Sequence, residues 1–291
     1  MNDPHLMILA GGISSRMKQS VTSSTSIDPA LKREAQSKTK AMISVDAGNR
    51  PFLDYLLYNA REAGYEDILI VISEKDNSIR DYYGTKEYGN DFNGLHVSYA
   101  VQRVPAGRSK PLGTADAVLQ GLNVRVDWRG KKFTVCNSDN LYSQKALRIL
   151  LESRHKNALI DYDRAALGFD PSRILQFSMT EKDGNGFLTA IIEKPTIEDV
   201  RRAKERKGPI GVSMNIFRLE YDDILPFVTD LPIHPERHEK ELPIAVSMLA
   251  HKFPGSVYAY PLSEPVPDMT SIEDVNTVRK YLAREFTHFS W

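Results

Sequence analysis

Short apolar runs alternate with helical patterns through the first half of the chain. Residues 5–10, HLMILA, form an apolar run that stops at Gly11 and Gly12, which predicts a buried strand. Further apolar runs predict three more strands, at residues 67–72, 95–101 and 132–136. Helical patterns lie between them, at residues 51–63 and 113–122. Strands that alternate with helices predict a parallel sheet with right-handed crossovers.

The second half of the chain has a more mixed pattern. Two predicted strands, 174–179 and 187–193, flank residues 183–186, whose sequence Asp-Gly-Asn-Gly is a strong hairpin signal. Further strands are predicted at residues 210–217 and 257–261, and helices at 239–250 and 271–285. We therefore expect an α/β protein with a mostly parallel sheet and a smaller antiparallel portion.

Composition limits the function classes. The 291 residues fit one large domain or two small ones, and 38 basic residues balance 38 acidic ones. A nucleic-acid partner bound by global charge is therefore not expected. The lone Cys136 excludes an internal disulfide and a cysteine-rich zinc site. Residues 6–10 are too short for a signal-peptide core, and no run is long enough for a membrane helix, so we expect a cytoplasmic protein.

Residues 18–40 differ from the rest of the chain in composition. They contain 8 Ser or Thr among 23 residues and no aromatic residue, which is typical of a mobile surface loop. A two-turn helix is also compatible with this segment, with Asp28 as its cap and Pro29 at its first position. Loops of this length are usually functional or disordered.

The segment LAGGISSRM, residues 9–17, carries the first candidate chemistry. Gly11 and Gly12 let the backbone approach a ligand closely, and successive amides can bind an anion. Arg16 adds a planar group suited to phosphate oxygens. A strand-ending turn with a surface arginine is the alternative. The spacing matches neither the dinucleotide fingerprint nor the P-loop.

Three later segments become informative beside that loop. Lys40 comes directly after the polar segment, where the chain brings a lysine back toward the glycine loop. Gly113 and Thr114 stand where a helix begins, a place suited to anions or polar edges. Asp139 follows a predicted strand directly, and ligands of parallel α/β sheets bind at strand carboxyl ends. Asp139 is therefore placed for Mg²⁺. For Gly113 and Thr114 the alternative is an ordinary helix cap, and for Asp139 it is a solvated turn.

Together these segments resemble the sugar-1-phosphate nucleotidyltransferase family, also called nucleotide-sugar pyrophosphorylases. Eight motifs follow the family's order across almost the whole chain: LAGGISSRM, KAM, PLGTADAV, NSDN, IIEKP, GVSMNIF, ELPIAV and PDMTSIEDV. The resemblance implies one Rossmann-like three-layer domain over residues 1–291. Residues 1–145 would form its nucleotide-binding half and 146–291 its sugar-binding half.

The resemblance also implies residue roles. Those for the nucleotide fall on Leu9, Ala10, Gly11, Gly12, Gln102, Gly113 and Thr114. Arg16 and Lys40 would hold phosphates, and Asp139 and Asp268 would bind Mg²⁺. Glu193, Lys194 and Asn215 would contact the sugar phosphate, Lys194 through its phosphate group.

These residues suit the implied reaction. A phosphate monoester has a second pKa of about 6, so a sugar-1-phosphate is already ionised at neutral pH and needs no general base. The reaction needs cations that bring two polyanions together, here Mg²⁺, Arg16, Lys40 and Lys194. Gln102 with Gly113 resembles uridine- and thymidine-using members, which favours UTP or dTTP. The identity of the sugar stays open, as does the choice between a monomer and a homo-oligomer.

One departure from the family leaves a choice open. Arg16 and Lys40 are 24 positions apart, longer than the resemblance implies, so Lys38 is an alternative phosphate-binding lysine. We hypothesise that the inserted residues 18–39 act as a lid over the triphosphate.

Two other functions compete with the transferase. One is a non-catalytic nucleotide- or sugar-sensing relative. The other is a metal-dependent glycosyltransferase, for which residues 161–163, Asp-Tyr-Asp, match the metal motif in letters. No hexapeptide repeat follows the core, which argues against bifunctional acyltransferase relatives. The apolar tail with Phe286, Phe289 and Trp291 is expected to pack on the core, and His234 and His238 are expected to be solvated.

Overall fold

A computed structural model describes residues 3–12, 14, 17–20, 28–169, 173, 177–205 and 208–291. In this part of the chain a ten-stranded sheet forms the centre of the molecule. Its strands are β1 His5–Ala10, β2 Asp67–Ser73, β3 Asn90–Phe92, β4 Leu95–Gln102, β5 Lys132–Asn137, β6 Asn157–Asp163, β7 Ser178–Lys182, β8 Leu188–Ile192, β9 Gly211–Glu220 and β10 Val257–Leu262.

The strands run in the order β10-β6-β9-β5-β1-β2-β4-β3. β1 is parallel to both β2 and β5, and β2 is parallel to β4. β9 is antiparallel to β5, β6 and β7, and β7 and β8 form an antiparallel hairpin. The predicted parallel sheet with a smaller antiparallel portion is confirmed.

Helices cover both faces of this sheet. They are α1 Pro29–Ser37, α2 Phe52–Ala63, α3 Ser78–Tyr83, α4 Thr114–Val124, α5 Gln144–Leu151, α6 Ile197–Glu205, α7 Tyr221–Asp230, α8 Leu242–Lys252 and α9 Asp274–Glu285. Leu6 and Ile8 of β1 pack with α2, α5 and α9, whereas Met7 and Leu9 pack with α4, α7 and α8. Alternate residues of one apolar strand thus face two separate cores, giving the expected three layers.

Some predicted bounds were wrong. The helix predicted from residue 239 begins at Leu242, because the amide of Lys240 pairs with the Leu112 carbonyl rather than entering a helix. The helix predicted from residue 271 begins at Asp274, whose Oδ2 accepts the amide hydrogen of Ser271 at 2.7 Å. The hairpin is present, with a first strand at Ser178–Lys182, and residues 174–176 of the predicted strand lie outside the described residues.

The polar segment contains the helix that the sequence allowed. Asp28 Oδ1 accepts the amide hydrogen of Ala30 at 2.8 Å, and Pro29 occupies the first turn of α1. Leu31 and Ala35 of α1 are buried in the core. Burial of these two side chains is the reason that a helix replaces the mobile loop over this part of the insertion.

The aromatic tail packs on the molecule, as predicted. Phe286 and Phe289 lie against Tyr55 of α2, with ring centroids 5.0 and 4.6 Å apart. Trp291 contacts Tyr58, and Arg61 lies 4.7 Å from its ring centroid. Among the described helices, none is both long and apolar enough to cross a bilayer.

Candidate functional site

A cleft opens at the carboxyl ends of β1, β4 and β5. It consists of two adjoining cavities of about 330 and 670 Å³. Both are lined by Asn137, Asp139, Glu193, Asn215 and Glu241, so they form one continuous cleft. We call the smaller part, next to β1, the first cavity and the larger part the second cavity.

The loop after β1 forms one wall of the first cavity. Leu9, Ala10, Gly11 and Gly12 all line it. A Cβ atom added to Gly11 would lie 2.6 Å from Oε1 of Gln102, whereas one added to Gly12 would meet nothing within 4 Å. Gly11 is therefore required by the close approach of Gln102, which ends β4 and is almost fully buried.

The start of α4 forms the opposite wall. Gly113 has a left-handed φ of +106°, and a Cβ there would lie 2.6 Å from the Lys240 carbonyl oxygen. Thr114 Oγ1 accepts the amide hydrogen of Leu242 at 2.9 Å, which joins the starts of α4 and α8. Gly113 and Thr114 both line the cavity, and Thr114 does not cap α4, whose N-cap residue Gly113 offers no side-chain hydrogen bond.

Lys40 and Asp139 meet at the wall of the first cavity. Lys40 Nζ lies 2.5 Å from Asp139 Oδ2, and both side chains are largely buried. The Lys40 amide also donates to Ser14 Oγ, so the end of the insertion joins the glycine loop. Lys38 lies elsewhere and pairs with Glu34 of α1 at 2.6 Å. Of the two candidate lysines, the cleft contains Lys40.

Asp268 brings a second carboxylate into the second cavity. Burial raises its pKa, and the neighbouring Asp139 raises it further. Arg173 Nη2 donates to Asp268 at 2.8 Å, and Thr270 Oγ1 donates at 2.9 Å. Two buried carboxylates that repel one another are a place where a cation is stabilising.

This donor set fits Mg²⁺. No group of three or more metal-binding side chains occurs in the described part of the chain. Mg²⁺ needs fewer, because it is usually bound by one or two carboxylates together with water and substrate phosphates. Asp139 and Asp268 supply two carboxylates, and a divalent ion would relieve their mutual repulsion.

The far side of the cleft carries the predicted sugar residues. Glu193 Oε1 accepts a hydrogen bond from Ser178 at 2.6 Å, and its Oε2 lies 3.3 Å from Arg237 Nη1. Arg237 also pairs with Glu241 at 2.5 Å. Lys194 lines the second cavity and has a left-handed φ of +48°.

Asn215 lines both cavities from the middle of β9. Its φ is +57°, at the point where the register between β6 and β9 shifts. Its Oδ1 is buried and has no hydrogen-bond partner among the described residues. A buried acceptor without a partner is rare in proteins, and a ligand hydroxyl would satisfy it.

The structure thus brings thirteen predicted site residues to one cleft. They are Leu9, Ala10, Gly11, Gly12, Lys40, Gln102, Gly113, Thr114, Asp139, Glu193, Lys194, Asn215 and Asp268. Arg16, the remaining predicted residue, lies outside the described residues.

Two arginines of the cleft were missed by the sequence analysis. Arg173 pairs with Asp268 and Asp274, and Arg237 pairs with Glu193 and Glu241. Arg237 stands in the polar stretch whose histidines were expected to be solvated. His238 is exposed, but His234 is half-buried, and its Nδ1 accepts the amide hydrogens of Glu236 and Arg237.

The Asp-Tyr-Asp match does not lie in this cleft. Asp161 of β6 is buried and pairs with Thr180 and Lys182 of β7 across the intervening strand β9. Asp163 caps the short helix Arg164–Ala166 by accepting the amide hydrogen of Ala165. Both carboxylates therefore have local structural partners, and neither lines the two cavities.

Comparison with known proteins identifies the family. The model of a family described as "Nucleotidyl transferase" matches residues 35–221, well over half of the chain. The chain belongs to the nucleotidyl transferase family. The matched region includes Lys40, Asp139 and Glu193, and it begins after the glycine loop.

Individual members of the nucleotidyl transferase family are distant. A glucose-1-phosphate adenylyltransferase of Anaeromyxobacter dehalogenans is 25% identical over 191 residues, 65% of this chain and 42% of that protein. A bifunctional protein GlmU of Geotalea uraniireducens is 26% identical over 203 residues, 69% of this chain and 36% of that protein. The chain therefore spans about two fifths of the length of these relatives.

A solved structure shows the same fold. UDP-glucose pyrophosphorylase from Acinetobacter baumanii superposes with a TM-score of 0.69 at 18% identity, covering 98% of this chain and 94% of that one.

Proposed function

We propose that this protein transfers a nucleotidyl group from a nucleoside triphosphate to a sugar-1-phosphate, giving a nucleotide-sugar and pyrophosphate. The observation that carries the proposal is the cleft in which Lys40 lines the first cavity and pairs with Asp139, which lines both cavities. A triphosphate in the first cavity and a sugar phosphate in the second would meet at this pair.

The cleft supplies what such a reaction needs. The attacking oxygen belongs to a phosphate that is already ionised, so positioning and charge compensation are required rather than a base. In the proposal, Gly11 and Gly12 cradle the triphosphate, while Lys40 and Arg16 bind its phosphates. Lys194 binds the sugar phosphate, and Glu193 and Asn215 accept hydrogen bonds from sugar hydroxyls.

Mg²⁺ fits this proposal as the metal cofactor. Asp139 and Asp268 would hold it, and when bound it supplies positive charge to phosphate oxygens. Lys40 and Arg173 pair with the same two carboxylates. These cations offset the carboxylate charge, and metal binding would release them toward the phosphates of the substrates.

For the base, we propose UTP or dTTP. This rests on Gln102 and Gly113 at the wall of the first cavity and on their resemblance to uridine- and thymidine-using enzymes. The relatives are named for different nucleotides, so the base needs its own test. The glycosyltransferase alternative loses its support, because the Asp-Tyr-Asp carboxylates lie outside the cleft.

The insertion is a second part of the proposal. We infer that residues 18–39, of which 21–27 lie outside the described residues, cover the triphosphate, because the segment ends where Lys40 contacts Ser14 of the glycine loop. Deletion of residues 19–39 with Lys40 kept in register tests this. A raised KM for the triphosphate is expected, and unchanged kinetics would contradict the lid.

Pyrophosphate release tests the function itself. UTP, dTTP, ATP, GTP and CTP are each combined with a set of sugar-1-phosphates and MgCl₂. We expect release with at least one pair, and none after Asp139→Ala. A non-catalytic relative would bind triphosphates without release from any pair.

A further inference from the structure

Gln102 holds its side-chain amide in one orientation. Its Nε2 donates to the Gly113 carbonyl oxygen at 2.8 Å and to Asp116 Oδ2 at 2.9 Å. A carbonyl and a carboxylate both accept hydrogen bonds, so the atom between them must be the NH₂ nitrogen. The amide cannot be turned over without placing its oxygen against two other oxygens.

In this orientation the only side-chain atom that Gln102 offers a ligand is Oε1, which accepts a hydrogen bond. An NH₂ group has two hydrogens, and Gly113 and Asp116 take both. Gln102 Oε1 accepts no hydrogen bond from any described residue, and it lies beside Gly11, where a Cβ would come within 2.6 Å. Gly11 and Gln102 both line the first cavity.

Asp116 contacts Gln102 without lining the first cavity itself. It lies in the first turn of α4, where a negative charge is favoured by the helix dipole, and it is almost fully buried. Its other oxygen, Oδ1, accepts from Gln120 Nε2 at 3.5 Å. Asp116 itself does not line the cavity, so any effect on a ligand passes through Gln102.

We propose that Asp116 is a positioning residue for base recognition. It fixes Gln102 so that Oε1 accepts the N3–H of a uracil or thymine base. This inference rests on the proposed function, of which it specifies the nucleotide. Cytosine carries a lone pair at N3, which would face Oε1 with repulsion, and a methyl group on N3 would remove the donor.

The direct test compares ligands on the wild-type protein. UTP, CTP and N3-methyl-UTP differ at the base edge while sharing sugar and triphosphate, and their affinities are measured by equilibrium titration. A site built around a hydrogen bond rejects an analogue that lacks it strongly, so we expect UTP to bind about 100-fold more tightly than either analogue. Equal affinity for UTP and N3-methyl-UTP overturns the proposal, as does no measurable affinity for UTP.

Variants then test the role of Asp116. Asp116→Ala frees the amide of Gln102 to turn, so the preference for UTP over CTP should fall by about tenfold or more. Asp116→Asn keeps an acceptor oxygen and should retain the preference. Gln120→Ala, which removes the other partner of Asp116, is the matched control and should behave as wild type.

A purely structural role of Asp116 predicts a different result. Asp116→Ala would then weaken UTP and CTP equally, leaving their ratio unchanged, and that result overturns the proposal. The KM for the sugar-1-phosphate should stay at its wild-type value in all three variants. If Asp116→Ala does not fold, the three-ligand comparison on wild type still decides whether Gln102 acts as an acceptor.

Failure of the proposed function and failure of the Asp116 proposal would give different results. Tight binding of UTP that depends on N3–H, without pyrophosphate release from any sugar-1-phosphate, refutes the proposed function and supports base recognition. Pyrophosphate release that is equally fast with UTP and CTP supports the function and overturns the inference on Asp116.

Discussion

Replacement of Lys40 by alanine removes a cation that lies 2.5 Å from Asp139 at the junction of the two cavities. The proposed function makes Lys40 a phosphate-binding residue, and Lys38 provides a matched control two positions away. Both substitutions remove one lysine from the same segment. They differ in that Lys40 lines the cleft, whereas Lys38 pairs with Glu34 on α1.

The size of the expected effect follows from the surroundings of each lysine. The side chain of Lys40 is 15% exposed and that of Asp139 is 22% exposed, so water screens their charges weakly. A hydrogen bond to a charged group contributes about 1.5–3 kcal/mol, which corresponds to a loss of about 10- to 150-fold in kcat/KM for Lys40→Ala. Lys38 is 38% exposed, and an exposed helix pair contributes about 0.3–0.5 kcal/mol to stability.

Steady-state pyrophosphate release measures both variants with the best substrate pair. We expect Lys38→Ala to keep kcat/KM within about twofold of wild type, with thermal unfolding confirming that both variants are folded. Equal losses in the two variants would refute the placement argument, and full activity of Lys40→Ala would refute a phosphate-binding role.

Three further predictions concern other charged groups. Asp268→Asn removes one proposed ligand, so the Mg²⁺ concentration for half-maximal activity should rise by at least about tenfold, as followed in a metal titration. Arg237→Ala leaves Glu241 without its cation beside an anionic substrate, so the KM for the sugar-1-phosphate should rise by about tenfold. Asp67→Asn breaks a buried pair with Arg125 and should lower the free energy of unfolding in urea by about 3 kcal/mol at pH 7.

The last of these predictions has a defined pH dependence. Burial would raise the pKa of Asp67, but hydrogen bonds from His5 and Arg125 outweigh it and lower the pKa. A carboxylate with a lowered pKa stabilises the fold above its unfolded value, about 3.9, and loses that contribution as the pH falls further. The gap between wild type and Asp67→Asn should therefore shrink below about pH 4. A constant gap would contradict the ion pair.

Each of the two cleft variants also has an outcome that would contradict the role proposed for its residue. Asp268→Asn with an unchanged Mg²⁺ requirement would remove Asp268 from the metal site. Arg237→Ala that changes only the KM for the triphosphate would place the sugar phosphate elsewhere. Gln120→Ala, which changes a residue that does not line the cleft, serves as the control for both.

Local patterns in the sequence predicted the elements well. The apolar run of β1 ends at two glycines as expected, and Asp28 and Pro29 begin α1 through contacts within a few residues. The start of α8 at Leu242 was missed because a distant segment decides it, whereas the start of α9 at Asp274 follows a local contact with Ser271. The amide of Lys240, for example, pairs with Leu112, far away in sequence.

The candidate site was predictable where motifs end strands, and unpredictable where ion pairs join distant positions. Arg173 is 95 positions from Asp268, and Arg237 is 44 positions from Glu193, so no local spacing signals either pair. The choice between Lys38 and Lys40 likewise depended on the folded structure, because Lys38 forms an ion pair with Glu34 of α1.

Transfer of the α-phosphorus is the most direct test of the account. The protein is incubated with a sugar-1-phosphate, MgCl₂ and UTP labelled with ³²P at either the α or the γ position. We predict that the α label appears in a nucleotide-sugar and the γ label in pyrophosphate, and that Asp139→Ala forms neither product. Release of the γ label as inorganic phosphate, or no transfer of the α label to any sugar-1-phosphate with any nucleoside triphosphate, would contradict the account.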